Sequence, residues 1–380
     1  MKQFLTILAA LCLLTACHDD DDRTYERIVM VYMANDNTGG FYLGQRSDVR
    51  EMIEGTESLT RDQKVVAFID NPNEKPYILE IAQGDTTRVH QFDESLNSSD
   101  ATVMGDVLTW IVNRYKAESY GLVLWGHATG WEFTGVAASR GPRKAYAIEH
   151  GTTWMQIPDM ARALSRLPKL AYIFADCCCL QCIEVDYELR NVADYIIASA
   201  AEIPSDGAPY QTVVPALFAT GNDFYKAIVD AYYAQSIYNY REPLSVVKTS
   251  ELDDLAAATH TVLSTFLPAS EMSYPDVSGL IYYYDRAFFD MNDFILRHAS
   301  DNDYQEWRRA FDKAVVYKTM AKRWMANHVK FTFDVTEERY GGVSMFVPQD
   351  GNYNLFFDQL NKTISRMQWY SAARLNVFGW

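Results

Sequence analysis

The sequence predicts an α/β protein, a sandwich built on a largely parallel sheet, followed by a mainly helical region. Three observations carry this. Short apolar runs rich in β-branched residues alternate with segments of helical periodicity from residue 28 to residue 199. The runs are continuously apolar, as strands covered on both faces must be. Beyond about Gly221 helical spacing dominates. The 380-residue chain is 48% hydrophobic and 14% aromatic, enough for one large core or a core plus a smaller domain.

The elements follow in order. Residues 1–16 have the form of an export signal: Lys2 gives a positive start, Phe4 to Leu14 an apolar centre, and Thr15-Ala16 a small-residue end. That stretch is too short to persist as a spanning helix. Residues 17–26 contain His18-Asp19-Asp20-Asp21-Asp22, a like-charge run that cannot bury anything and so serves as a solvated tether. A first folded unit is expected over 27–220. It opens with a strand at Ile28–Ala34, broken by Asn35 to Gly40, then a polar helix through Val49–Ile53 and a strand at Val65–Ile69. Tyr77–Ile81 and Thr87–Phe92 flank Gly84-Asp85 as a hairpin. Thr102–Tyr115 repeats apolar residues at helical spacing, with Asp100 placed to cap it. Leu122 to Trp125 forms a strand that runs out at Gly126-His127. Residues 137–153 are basic and poor in apolar positions, which predicts an exposed loop. A helix at Pro158–Leu167 ends at Pro168, a strand from Leu170 reaches the Cys177-Cys178 pair, a helix runs from about Cys179 to Leu189, and Tyr195–Ser199 is another strand.

For 221–380 helices are expected at Asp223–Tyr233, Leu252–Phe266, Asp290–His298 and Tyr304–Met325. Only Ser245–Lys248 and Gly342–Phe346 have strand character there, so this region should return at least one strand to the sheet or to a small subdomain.

Composition excludes some functions. A formal charge of -16 and a pI of about 4.9, with no sustained Lys/Arg stripe, argue against a nucleic-acid partner. Of six cysteines, Cys12 lies in the signal, Cys17 ends it, and four crowd into residues 177–182, so no disulfide framework spans the fold. Clustered thiols in an exported chain point to chemistry at that spot.

His127 and Cys178 each stand just past the carboxyl end of an expected strand. Neighbouring parallel strands lie roughly 5 Å apart, and side chains beyond their carboxyl ends share one crevice. A right-handed crossover through the 158–167 helix can connect them. His127 can then serve as general base toward the Cys178 thiol and later protonate a leaving amine. A helix beginning at Cys179 would aim its positive end at the sulfur and lower the thiol pKa. The backbone N–H groups of Cys178 and Ala128 would face a developing oxyanion, and no metal is needed. Asp176, two residues before Cys178, can floor a pocket for a substrate Arg or Lys. Each residue also has an ordinary explanation: a structural histidine, buried cysteines acting as small hydrophobes, an aspartate that caps a helix or braces a loop. Cys179 and Cys182 form a single C-x-x-C that, with His150, would suit zinc; a second such pair is absent.

Leu14-Thr15-Ala16-Cys17 resembles a bacterial lipobox, which implies cleavage before Cys17, acylation of that residue and tethering to a membrane through lipid alone. The acidic run after it is similar to the stretch that follows the lipid cysteine in surface lipoproteins of Bacteroidetes, which implies an outer-membrane lipoprotein at the cell surface, or otherwise facing the periplasm. Trp125-Gly126-His127-Ala128-Thr129-Gly130-Trp131 and Asp176-Cys177-Cys178-Cys179-Leu180, continued by Glu184-Val185-Asp186-Tyr187-Glu188-Leu189 and Gly207-Ala208-Pro209-Tyr210, resemble the motifs of the clostripain family of cysteine peptidases. Similarity runs from about Ile28 to Tyr210 and more weakly through Tyr340 to Pro348. The resemblance implies a caspase-like three-layer sandwich and hydrolysis of peptide or protein substrates after Arg or Lys. It places the catalytic histidine on His127, the nucleophile on Cys178 and the reader of the basic P1 side chain on Asp176. Two departures stand out. Ala128 replaces a glycine beside the oxyanion site, and the triple cysteine makes a shift to Cys177 or Cys179 conceivable, although Glu184, Tyr187 and Glu188 anchor the alignment on Cys178. The resemblance also implies self-cleavage between the two dyad residues, where Arg140, Arg143 and Lys144 stand. A solvated basic loop is the ordinary account of those three. Clostripain itself uses calcium; no calcium-loop pattern occurs in this chain. The rival to a peptidase is a catalytically weak relative that binds peptides or proteins in the same crevice.

Overall fold

The computed structural model describes residues 23–34, 42–72, 74–131, 146–149, 153–204, 206–234, 242–284, 287–326, 329–351 and 355–380. Up to residue 125 the chain forms β1 (Tyr25–Ala34), α1 (Tyr42–Thr56), β2 (Gln63–Asp70), β3 (Tyr77–Ala82), β4 (Asp85–Gln91), α2 (Ala101–Arg114) and β5 (Ala117–Trp125). Then come β6 (Tyr146–Glu149), β7 (Thr153–Met155), α3 (Ile157–Leu164), β8 (Tyr172–Asp176), α4 (Ile183–Glu188), β9 (Tyr195–Ala198), α5 (Tyr210–Leu217) and α6 (Phe224–Ala234). The remainder is β10 (Ser245–Lys248), α7 (Leu252–Leu263), β11 (Tyr282–Tyr284), β12 (Phe288–Asp290), α8 (Met291–His298), α9 (Asp301–Ala314), β13 (Val315–Lys318), β14 (Arg323–Ala326), β15 (Val329–Thr332), β16 (Ser344–Phe346), α10 (Leu355–Thr363) and α11 (Gln368–Ala372).

A nine-stranded sheet in the order β13-β10-β9-β8-β5-β1-β2-β3-β4 is the spine. Its inner pairs, β2 with β1, β1 with β5, β5 with β8 and β8 with β9, are parallel, and antiparallel strands close both edges. The period of two along β1 explains the layers. Ile28, Met30 and Tyr32 face the core built with α2, α3, α4 and the later helices, whereas Val29, Val31 and Met33 face α1, α5 and α6. Both faces are covered, so the strands are apolar throughout, and the expected three-layer α/β sandwich is what forms.

The helices are seated by ordinary physics. Met104, Val107, Leu108 and Ile111 of α2 are buried on one stripe, each contributing about 1.5–3 kcal/mol. The expected cap is in place: the Asp100 carboxylate accepts from the Thr102 N–H at 2.7 Å. Among the described residues no helix is long and apolar enough to cross a membrane.

Several expectations are corrected. The stretch from Cys179 is not helical at once: Cys179 adopts a left-handed φ of 56°, the Gln181 N–H donates to the Ser199 carbonyl, and α4 starts only at Ile183. Competing backbone partners, Ser199 and Ala201 in the segment just after β9, outweigh the helical spacing of Leu180, Ile183 and Tyr187. The 137–153 segment is not simply an exposed loop, because β6 lies within it and pairs with β7 at its end, and Tyr146 is buried. The expected long helix at 304–325 ends at Ala314, where Val315-Val316-Tyr317 turns into β13 and pairs with β10 at the sheet edge. Strand character after residue 221 is wider than expected. β12 is hydrogen-bonded to both β11 and β16, and β14 with β15 makes a hairpin. That hairpin packs Trp324 and, from the segment after it, Phe333 near Ala200 and Ala201. Helix α5, which the sequence pattern did not single out, packs on α1 through Tyr210, Val213 and Val214.

Candidate active site

Strands β5 and β8 are adjacent and parallel, with Trp125 opposite Asp176. His127 and Cys178 are each two residues past that pair, so both leave the same rim of the sheet from neighbouring strands. They line one crevice with Trp125, Gly126, Asp176, Cys177, Ile203, Pro204 and Gly207. Gly126 makes the exit from β5 possible: its φ is 140°, and a Cβ there would lie 3.1 Å from the Ala34 carbonyl oxygen.

The His127 loop is held from the other side by β6. The Ala147 N–H donates to the His127 carbonyl at 3.0 Å, Ala128 bridges to Tyr146, and the Tyr146 hydroxyl donates to the carbonyls of Tyr32 and Trp125. The Trp154 ring of β7 sits 6.4 Å, centroid to centroid, from the imidazole.

Of the four clustered thiols, Cys178 is the one that is partly exposed; Cys177, Cys179 and Cys182 are buried. The Cys182 thiol donates to the Glu184 carboxylate, whose other oxygen accepts from the Phe346 N–H. Glu184 and Asp186 are thus internal bracing. Among the described residues no group of three or more His, Cys, Asp or Glu side chains is set to hold a metal ion. His150, Cys17, Arg140, Arg143 and Lys144 lie outside the described residues.

The thiol is not activated by a helix, contrary to the sequence expectation. Cys178 Sγ accepts from the Ile203 N–H at 3.3 Å and approaches the Ile203 carbonyl at 3.7 Å. Burial pushes the Cys178 thiol up to about 12; the Ile203 N–H opposes this, and the nearby carboxylates of Glu202, Asp176 and Glu242 add to it. In this closed arrangement the sulfur is a protonated thiol, and the crevice, about 30 Å³, has room for roughly one water molecule.

Asp176 is almost fully buried. Its Oδ2 accepts from the Ala208 N–H at 3.0 Å and the Tyr210 hydroxyl at 2.8 Å. It braces a loop, as its ordinary explanation holds, but it caps no helix, since α4 is preceded by Cys182. Its second oxygen, Oδ1, is buried with no hydrogen-bond partner among the described residues. Burial lifts the Asp176 carboxyl to about 6, against the pull of those two donors.

Sequence inspection missed its neighbours. Asp48 of α1 accepts from Trp125 Nε1 at 2.7 Å, and burial, reinforced by the Asp176 charge, lifts it to about 8. Gly207, with φ of 64°, lets the chain pass both carboxyls: a Cβ there would stand 3.0 Å from Asp176 Oδ2 and 3.3 Å from Asp48 Oδ2. Glu51, whose carboxylate accepts from the Tyr210 N–H, and the exposed Asp206 add negative charge around Asp48. The one sequence signal for this set is an acidic pair, Asp48 and Glu51, at helical i,i+3 spacing.

The arrangement has relatives. The clostripain family model matches residues 31–376. A secreted C11 cysteine protease from Bacteroides thetaiotaomicron, solved with an irreversible peptide inhibitor, superposes with a TM-score of 0.78 at 29% identity, covering 92% of this chain and 99% of its own. An inactive zymogen C11 protease from Parabacteroides distasonis gives 0.77 at 28% identity, with coverage of 92% and 99%. A further secreted C11 cysteine protease from Bacteroides thetaiotaomicron, 19% identical with a TM-score of 0.75 and coverage of 92% and 100%, shares the fold. No match is found among curated proteins.

Proposed function

Because the chain belongs to the clostripain family and is a cysteine-type endopeptidase with a caspase-like fold, we propose that it cuts peptide bonds after Arg or Lys with Cys178 as nucleophile and His127 as proton-transfer partner. The observation that carries this is the pairing of Trp125 with Asp176, from which the histidine and the cysteine each follow by two residues.

On substrate entry the Ile203 contact gives way and His127 takes the thiol proton as sulfur attacks the carbonyl carbon. The N–H groups of Cys178 and Ala128 receive the oxyanion. Collapse breaks the C–N bond, and His127 passes its proton to the departing amine. Water, deprotonated by His127, then opens the thioester and the thiol is restored. The unpartnered Oδ1 of Asp176 is the acceptor for a P1 guanidinium or ammonium, with the Asp206 charge nearby deepening the negative field.

Peptides or proteins are the substrates. Secretion is a property of two of the relatives; for this chain we place the mature protein on the bacterial outer membrane through a lipid on Cys17, facing the surface. Self-cleavage after Arg140, Arg143 or Lys144 belongs to the same proposal. The test compares Arg- and Lys-P1 reporter peptides on wild type and Cys178→Ala under reducing conditions, with and without calcium. Turnover that vanishes in the variant is expected; none in either protein would leave a peptide-binding role.

A further inference from the structure

A second cleft, about 500 Å³, opens on the opposite face of the sheet from the acidic pocket, between the start of α2 and α3. Its walls include Ser99, Ala101, Trp154, Gln156 and Arg162. Its size is that of pockets that take sizeable ligands. We propose that this cleft is the primed-side subsite, holding the residues of an extended peptide substrate that follow the scissile bond. The proposal rests on the dyad and P1 assignment above.

Direction comes from the chemistry. In the acyl-enzyme the part of the substrate ending in P1 stays on the Cys178 sulfur, its side chain toward Asp176 on the face covered by α1 and α5. The departing amine takes its proton from His127, so the downstream chain must leave over the imidazole. Beyond the imidazole stands Trp154, 6.4 Å away, and Trp154 is itself a wall of the cleft. The two cavities share no lining residue, and His127 with Trp154 forms the step between them.

The β6–β7 hairpin holds that step in place. Ala147 is hydrogen-bonded to the His127 carbonyl, Trp154 pairs with Ile148, and Gln156 Nε2 donates to the Trp154 carbonyl. The cleft's cations are already paired, Arg162 with Asp159 and Arg166 with Asp106. Recognition there is by backbone and by apolar contact with the indole, not by net charge. At about 3.3 Å per extended residue, P1′ meets Trp154 and P2′ and P3′ enter the cleft.

The test is a series of internally quenched peptides with one unprimed sequence, a basic P1 and one to four residues after the scissile bond, beside an arylamide with none. kcat/KM should rise through P3′ by at least about tenfold, the equivalent of one well-packed contact, and then level off. In Ala101→Trp, which fills the cleft from α2, the ratio of longest to shortest substrate should fall to near one. Gln156→Trp fills it from the other wall and serves if the first variant does not fold. Using the ratio within each protein removes any general loss of activity. A wild-type rate blind to primed length, or a ratio unchanged in a folded filled variant, overturns the inference alone. A chain that turns over no basic-P1 substrate overturns the inference together with the reading beneath it.

Discussion

Replacing Asp176 with Asn is the most informative perturbation of the proposed P1 pocket. The amide oxygen can keep the two bonds that Oδ2 accepts from Ala208 and Tyr210, so the loop stays braced. What is lost is the charge at Oδ1, the oxygen with no partner of its own among the described residues, and the amide puts N–H donors where a P1 cation would bind. Truncating one member of a desolvated charge pair costs about 2–5 kcal/mol; the middle of that range is a loss of a few hundredfold in kcat/KM for an Arg-P1 substrate. Asp48, raised chiefly by burial and secondarily by the Asp176 charge, shifts downward in the variant and offsets part of that loss. Stability should not suffer. Burial raises the Asp176 carboxyl from 3.8 to about 6. Its contribution to folding is therefore greatest below pH 3.8 and is lost as the pH rises through about 6. At pH 8 the amide relieves a buried charge. The assay is kcat/KM for matched Arg-P1 and Gln-P1 peptides, with Tm at pH 5 and pH 8. A folded Asp176→Asn enzyme that still prefers Arg by the wild-type margin, or that loses both substrates equally, would refute the reasoning.

Further expectations follow from the same geometry. In wild type, KM for a basic P1 should fall as the pH rises through about 6, where Asp176 gains its charge; a KM flat from pH 5 to 7.5 contradicts this. Without substrate, alkylation of Cys178 by iodoacetamide should climb steadily beyond pH 9, as a buried thiol lifted to about 12 requires; a plateau near pH 7 would mean a preformed thiolate–imidazolium pair. Gly207→Ala forces a side chain into a left-handed residue beside two carboxyls, costing about 1–2 kcal/mol of stability and most Arg-P1 turnover; unchanged Tm and activity would count against the described loop. Cys17→Ser should move the protein from the membrane to the soluble fraction on fractionation.

The placement of His127 and Cys178 at one rim of the sheet was legible in the sequence because each follows a strand whose apolar run is unmistakable, and because parallel pairing carries that linear fact into space. The acidic pocket was only half legible. Asp176 is marked by its nearness to Cys178, but Asp48 stands on a helix whose polar sequence suggests a solvated face, and only the packing of α5 on α1 buries it. The environment of the sulfur was misread for a similar reason. Leu180, Ile183 and Tyr187 have helical spacing, yet Cys179 and Gln181 give their N–H groups to Ala201 and Ser199, partners about twenty residues away that no local pattern announces. Trp154 stands alone between an expected loop and an expected helix, and what brings it beside His127 is a hairpin that joins the His127 loop by a long-range bond.

The most direct test of the Cys178–His127 pairing is covalent labelling by an Arg-P1 acyloxymethylketone, followed by mapping of the modified thiol in wild type and in His127→Ala. A single thioether on Cys178, formed at least about a hundredfold more slowly without the imidazole, is the predicted result. Modification of Cys177 or Cys179 instead, or labelling of Cys178 at an undiminished rate in His127→Ala, would contradict the assignment.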